Sequence, residues 1–186
     1  MMKIFIGFLS SVALVGAAAA AVAGYTSDPQ SKLEFVGVQA GAEFKGVFRK
    51  FTAAVDFAPE DLAGSKIDVQ IDMNSVDSLD KDRDTTIRGK DIFDVAHNPT
   101  AHYVTKTISK TAAGYAAVGS LTLHGVTKDV AIEFQFAPAA ATGAKLTGTA
   151  RLNRLDFGVG QGDWKSTETI GDAVKINFSL VLKPKS

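Results

Sequence analysis

Polar and apolar residues alternate with a period of two along three stretches of the chain. Ile67, Val69, Ile71 and Met73 interleave with Lys66, Asp68, Gln70 and Asp72. Val130, Ile132, Phe134 and Phe136 interleave with Asp129, Ala131, Glu133 and Gln135. Val174, Ile176, Phe178, Leu180 and Leu182 interleave with Lys175, Asn177, Ser179 and Val181. That period sends one set of side chains inward and the other to water, as in antiparallel sheets with one wet face. Weaker strands are predicted over Lys32–Val38, Ala42–Phe48, Phe51–Phe57, Ala101–Ile108, Tyr115–Leu123 and Lys145–Asn153. Turn signals divide them at Gly41, Pro59 to Ser65, Ala112 to Gly114, His124-Gly125 and Pro138 to Gly143. Gly24 to Gln30 reads as a flexible lead. About eight strands of this kind are best served by closure into one antiparallel barrel, which removes exposed sheet edges.

Two stretches break the alternation. From Ser78 to Pro99 the charges crowd at Asp80 to Asp84, and the pattern predicts a short helix over Lys81 to Arg88. Gly89 is expected to stop it as the C′ residue. A second helical turn is expected over Asp91 to Val95, ended by Asn98-Pro99. The other break runs from Leu155 to Gly171. A loop this long in a compact domain is usually functional or lid-like.

The N-terminus follows a different logic. Lys3 gives a positive start, Ile4 to Val15 are mostly apolar, and Gly16 to Ala23 are small. Ala21-Val22-Ala23 fits the A-x-A rule, so residues 1–23 read as a signal peptide cleaved before Gly24. Residues 24–186 then form the mature barrel domain, exported from the cytoplasm. A membrane anchor is the poorer reading, because a spanning helix wants ~20 strongly apolar residues. Without Lys3 the domain has 19 basic and 20 acidic residues, a balance that does not favour nucleic acid. There is no cysteine, which excludes disulfide and thiolate chemistry. Ten of the 12 phenylalanines lie beyond the signal, against 3 tyrosines and 1 tryptophan. Phe supplies apolar area without a polar handle. It either fills a core or lines a cavity suited to an apolar ligand.

Catalytic patterns are missing. Gly158 to Gly162 is glycine-rich, but it lacks the spacing and βαβ setting of a dinucleotide site. His97, His102 and His124 have no metal-ligand spacing, although His97 and His102 could meet in space. Asp80, Asp82 and Asp84 resemble half a calcium loop without its turn glycine and closing Glu. Arg83 or Arg88 can brace the helix on the barrel rim by bidentate bonding, or hold the polar head of a ligand whose tail enters the barrel. The expectation is a binding protein and not an enzyme.

Three ordered motifs resemble those of the YceI-like family: Arg83-Asp84, Ile87, Asp91 to Asp94 and Asn98 to Ala101; Gly119 to Lys128; and Asn153 to Val159. The resemblance spans Ser31 to Leu182. Gly158 to Trp164 also looks like a subgroup whose relatives occur fused to a membrane b-type cytochrome. This chain departs from the family at Ile92, at His124, and over Val38 to Phe44, where many relatives carry a His. The resemblance implies an all-β, eight-stranded lipocalin-like barrel with a helical insert, periplasmic, enclosing an isoprenoid quinone, prenyl phosphate or similar apolar lipid. It leaves open transient contact with a membrane or membrane cytochrome, an accessory role in a quinone-linked redox system, and a homodimer. The residues expected at the ligand are Phe44, Phe57, Phe93, Tyr103, Phe134 and Phe178, with Arg83 or Arg88 near the mouth.

Overall fold

A computed structural model describes residues 23–139 and 143–185. The expected signal peptide falls outside the described residues, apart from Ala23. Eleven β segments assemble into one sheet, and the chain lays them down as eight staves. The first stave is β1 (Ala23–Ser27) followed by β2 (Lys32–Gln39), and the second is β3 (Ala42–Phe48) followed by β4 (Phe51–Phe57). The third is β5 (Lys66–Asp72) followed by the short β6 (Val76–Asp77). Single strands complete the set: β7 (Thr100–Thr111), β8 (Gly114–Leu123), β9 (Val126–Pro138), β10 (Ala144–Asn153) and β11 (Ala173–Pro184). Every stave pairs antiparallel with its neighbour in sequence. The last pairs with the first, through β1 and β2. The result is a closed up-and-down barrel.

The segment expected to be a flexible lead is instead the strand that closes the barrel. Ala-Gly-Tyr-Thr-Ser has no period-two pattern, so nothing local marks it. It is held from both sides: Gly24 faces Asp56 of β4, and Tyr25 faces Pro184 of β11. Asp28 makes the jog from β1 to β2, its side chain accepting from Gln30 N and pairing with Lys183. A chain shortened to begin at Asp28 would expose the ladders of β4 and β11. We expect it to associate or aggregate, measured by light scattering at neutral pH. A monomer of unchanged melting temperature would refute this role.

The helix α1 covers Lys81–Arg88, as the charge pattern predicts. Asp80 caps it, accepting from Asp82 N and Arg83 N, the usual answer to unpaired amides at a helix start. Gly89 ends it where the pattern places the stop, but not in the left-handed conformation common at such glycines. Its φ is −65° and ψ 166°, so the chain leaves in extended backbone. Asp91 to Val95 form hydrogen-bonded turns and not a second helix, with Phe93 N and Asp94 N reaching back to Ile87 O and Gly89 O. Two hairpins turn on two residues of positive φ, Ala40-Gly41 and His124-Gly125, the geometry that matches strand twist.

Strand direction sorts the connections to two ends. At one end lie both of these tight turns, the α1 insert and the stretch 154–172. They touch one another: Ala40 N donates to Thr169 O, Gly171 N to Val38 O and Gln161 N to Asp91 O. At the other end an aromatic plug fills the barrel. Phe57 packs edge-on against Tyr115 at 4.9 Å between ring centres and at 4.6 Å from Phe136. Phe134 stacks on Tyr115 at 5.4 Å. Such pairs add about 0.5–1.5 kcal/mol each beyond area burial.

Candidate functional site

Between plug and cap the barrel is hollow. Residues that face inward near the plug are sealed, such as Ile67 at 2% exposed and Leu146 at 1%. Val69, Ile71, Ile176 and Phe178 also face inward, yet they are only half-buried. They border a cavity of about 210 Å³. Its floor includes Leu146 and Leu180, its walls Ile71, Ile132 and Phe178, and its cap Ile87, Phe93, Val159 and Ile170. Among the described residues that line it, Tyr103 and Arg154 alone carry a polar side-chain group.

Neither polar group is free to do chemistry. The Tyr103 hydroxyl donates to Val130 O at 3.3 Å, and burial, with Asp129 adding to it, pushes the phenol up to about 12. The folded state therefore holds this proton more tightly than the unfolded chain. Its contribution is complete below the ordinary tyrosine value of 10.0 and is lost as pH rises through about 12. We expect alkaline unfolding to begin within that window, and Tyr103→Phe to lack this component when melts are followed against pH. An identical alkaline profile for the variant would contradict it.

Arg154 begins the cap and is 5% exposed. Its Nε donates to Gly171 O at 3.1 Å, Nη1 to Val159 O at 2.9 Å, and Nη2 to Ile170 O at 2.8 Å and Ser166 O at 3.3 Å. Burial lowers the guanidinium from its ordinary value, opposed by the charge of Asp172. One side chain thus ties together both ends of the stretch 154–172 over the lumen.

The expected ligand residues divide. Phe44, Phe93, Tyr103 and Phe178 line the cavity. Phe57 and Phe134 point inward as alternation requires, but they sit in the plug, below the cavity. Period two fixes which face a residue is on, not its height along the barrel. Arg88 lies outside the lumen, donating to Asn74 O at 3.0 Å and Val76 O at 2.5 Å. Arg83 is at the rim, with Nε 3.3 Å from Gln39 Oε1 and Cζ 4.7 Å from the Phe44 ring centre. Both arginines brace α1 on the barrel, through carbonyls, an amide and a ring; Arg83 also pairs with Asp80 through a single Nη2–Oδ2 contact of 3.5 Å, and not as a bidentate fork. Asp84 accepts instead from Ser78 N and Oγ. His97 and His102 do not meet: each pairs with its own acid, Asp94 at 2.9 Å and Asp68 at 2.7 Å. Arg154 was not singled out, although it stands inside the quoted Asn153 to Val159 motif. Nothing in the local pattern separates it from Arg151, three residues earlier and exposed.

A closed barrel with a capped apolar lumen defines a container for a small hydrophobic molecule or chain segment. The chain belongs to the YceI-like family, whose domain model matches residues 25–182. UPF0312 protein VPA0850 of Vibrio parahaemolyticus is 34% identical, the match covering 78% of this chain and 80% of that one. BcnA of Burkholderia cenocepacia is 34% identical with a TM-score of 0.78, covering 83% of this chain and 98% of that one. A polyisoprenoid-binding domain from Saccharophagus degradans shares the fold, with a TM-score of 0.67 at 16% identity, over 88% of this chain and 99% of that one.

Proposed function

We propose that this chain is a periplasmic binding or carrier protein that encloses the apolar tail of an isoprenoid-type lipid in its barrel. The observation that carries this reading is the cavity itself, inward-facing and apolar, in a barrel whose fold is shared by a domain described as polyisoprenoid-binding. Burial supplies the affinity without any catalytic group. Each CH₂ removed from water contributes about 0.8 kcal/mol, so one isoprene unit brings roughly 4 kcal/mol before the cost of association. A lumen of about 210 Å³ suits the end of such a chain. A longer tail needs the cap to yield.

Trp164 reports on this. It is the sole tryptophan, lies in the turn Gly162–Lys165 of the cap, and packs against the core. Delipidated protein titrated with geranylgeraniol should give a saturable change in Trp164 emission at one equivalent. No saturable change and no heat of binding would sink the proposal. Its periplasmic half is checked separately: the intact mass of protein from the native host should begin at Gly24, and full-length protein in the cytoplasmic fraction would contradict export.

A further inference from the structure

Large aromatic residues at inward positions of a small barrel would ordinarily fill it. Here four lumen-facing rings do not. Each lies across the barrel wall over a glycine of the neighbouring strand. Phe44 faces Gly37 and Phe35 faces Gly46 in one hairpin, as two reciprocal pairs. Phe178 faces Gly148 across β10 and β11. Tyr103 reaches diagonally over Gly119 of β8.

A methyl group at any of these glycines would occupy the space of the ring. At Gly37 it would lie 2.8 Å from Phe44 Cε1, at Gly119 2.6 Å from Tyr103 Cζ, and at Gly148 2.5 Å from Phe178 Cζ. At Gly46 it would overlap Phe35 outright. All four rings border the cavity. With a Cβ beneath it, a ring can no longer lie flat, and the direction left open to it is the lumen.

We propose that Gly37, Gly46, Gly119 and Gly148 are specificity residues that set the bore of the lumen. They make the difference between a barrel filled by its own aromatics and one wide enough for a methyl-branched chain. The inference rests on the lipid-container reading above and adds to it the chain's cross-section. A linear polymethylene chain is slimmer than an isoprenoid one, so narrowing the bore should discriminate between them.

Gly37→Ala and Gly46→Ala are the clean variants, because the atoms in the way belong only to the Phe44 and Phe35 side chains. Gly119 and Gly148 also abut backbone carbonyls, Val104 O and Glu133 O, so alanine there disturbs the wall itself. Farnesol and 1-dodecanol have equal main-chain length and differ in branching. Each is titrated calorimetrically into wild type, Gly37→Ala, Gly46→Ala and the pairs Gly37→Ala with Phe44→Leu and Gly46→Ala with Phe35→Leu. A ring pushed into the lumen takes the space that the methyl branches need, so farnesol should weaken about tenfold or more in the single variants. Dodecanol should weaken less, and the paired variants should recover farnesol. Wild type that binds both alcohols, with single variants that bind farnesol equally well or lose both alcohols in equal measure, overturns the inference and leaves the container reading standing. Wild type that binds neither removes the container reading and this one with it.

Discussion

Arg154→Ala should destabilise the protein by about 3 kcal/mol, seen as a lower urea midpoint at unchanged slope. The guanidinium is spread over the carbonyls of Val159, Ser166, Ile170 and Gly171. Truncation leaves the buried Val159 carbonyl and the part-buried Ile170 and Gly171 carbonyls without this donor, while Ser166 O keeps Ile170 N, and each unsatisfied group costs ~1 kcal/mol or more. Arg154→Lys should recover only part of this, because one ammonium cannot reproduce a planar fork that reaches several carbonyls. Hydrogen exchange should locate the damage in the stretch 154–172 and spare the barrel ladder. A loss below about 1 kcal/mol would mean that the cap is held by its own backbone turns.

Ala150→Phe should abolish binding of prenyl alcohols, with a loss on the order of a hundredfold, while the fold survives. Ala150 faces the cavity from β10, opposite Ile132 on one side and Ile176 on the other. A phenyl group grown from it occupies part of the 210 Å³ that the tail needs. Filling an apolar void restores contacts its lining lacks, so the melting temperature of the ligand-free protein should hold or rise. Calorimetric titration with geranylgeraniol and a thermal melt check both halves. Wild-type affinity in a stably folded Ala150→Phe would place the tail somewhere other than this lumen.

The sequence made much of this barrel legible, and its limits have identifiable physical causes. Alternation assigned faces to Ile67–Met73, Val130–Phe136 and Val174–Leu182, because a strand has only two faces and one was to be wet. Closure was inferred from the number of strands. The strand that completes it, β1, was missed because Ala23–Ser27 draws its structure from pairing with β4 and β11 and not from its own pattern. Helix α1 was readable from Asp80 and the charges after it. The exit at Gly89 was not, since glycine permits both the left-handed and the extended route.

For the candidate site the split is by height and by absence. Phe134 and Phe178 look alike in sequence, and both point inward. Both pair with Gly148, yet Phe134 packs on Phe57 and Tyr115 in the plug while Phe178 borders the cavity, a distinction set by which rings they meet inside the barrel. The question of whether phenylalanine fills or lines the interior has a divided answer: Phe57, Phe134 and Phe136 fill one end, while Phe44, Phe93 and Phe178 border the hollow. What keeps the hollow open is the missing side chain at Gly37, Gly46, Gly119 and Gly148. A composition count does not show where a missing side chain faces a ring.

A lipid tail held in the lumen should travel with the protein. Protein purified from its native host, extracted with organic solvent and analysed by mass spectrometry, tests it most directly. The expected result is an isoprenoid-type lipid at close to one per chain, and its absence from an Ala150→Phe variant purified in parallel. Extracts without lipid, or the same lipid at the same level in both proteins, would contradict it.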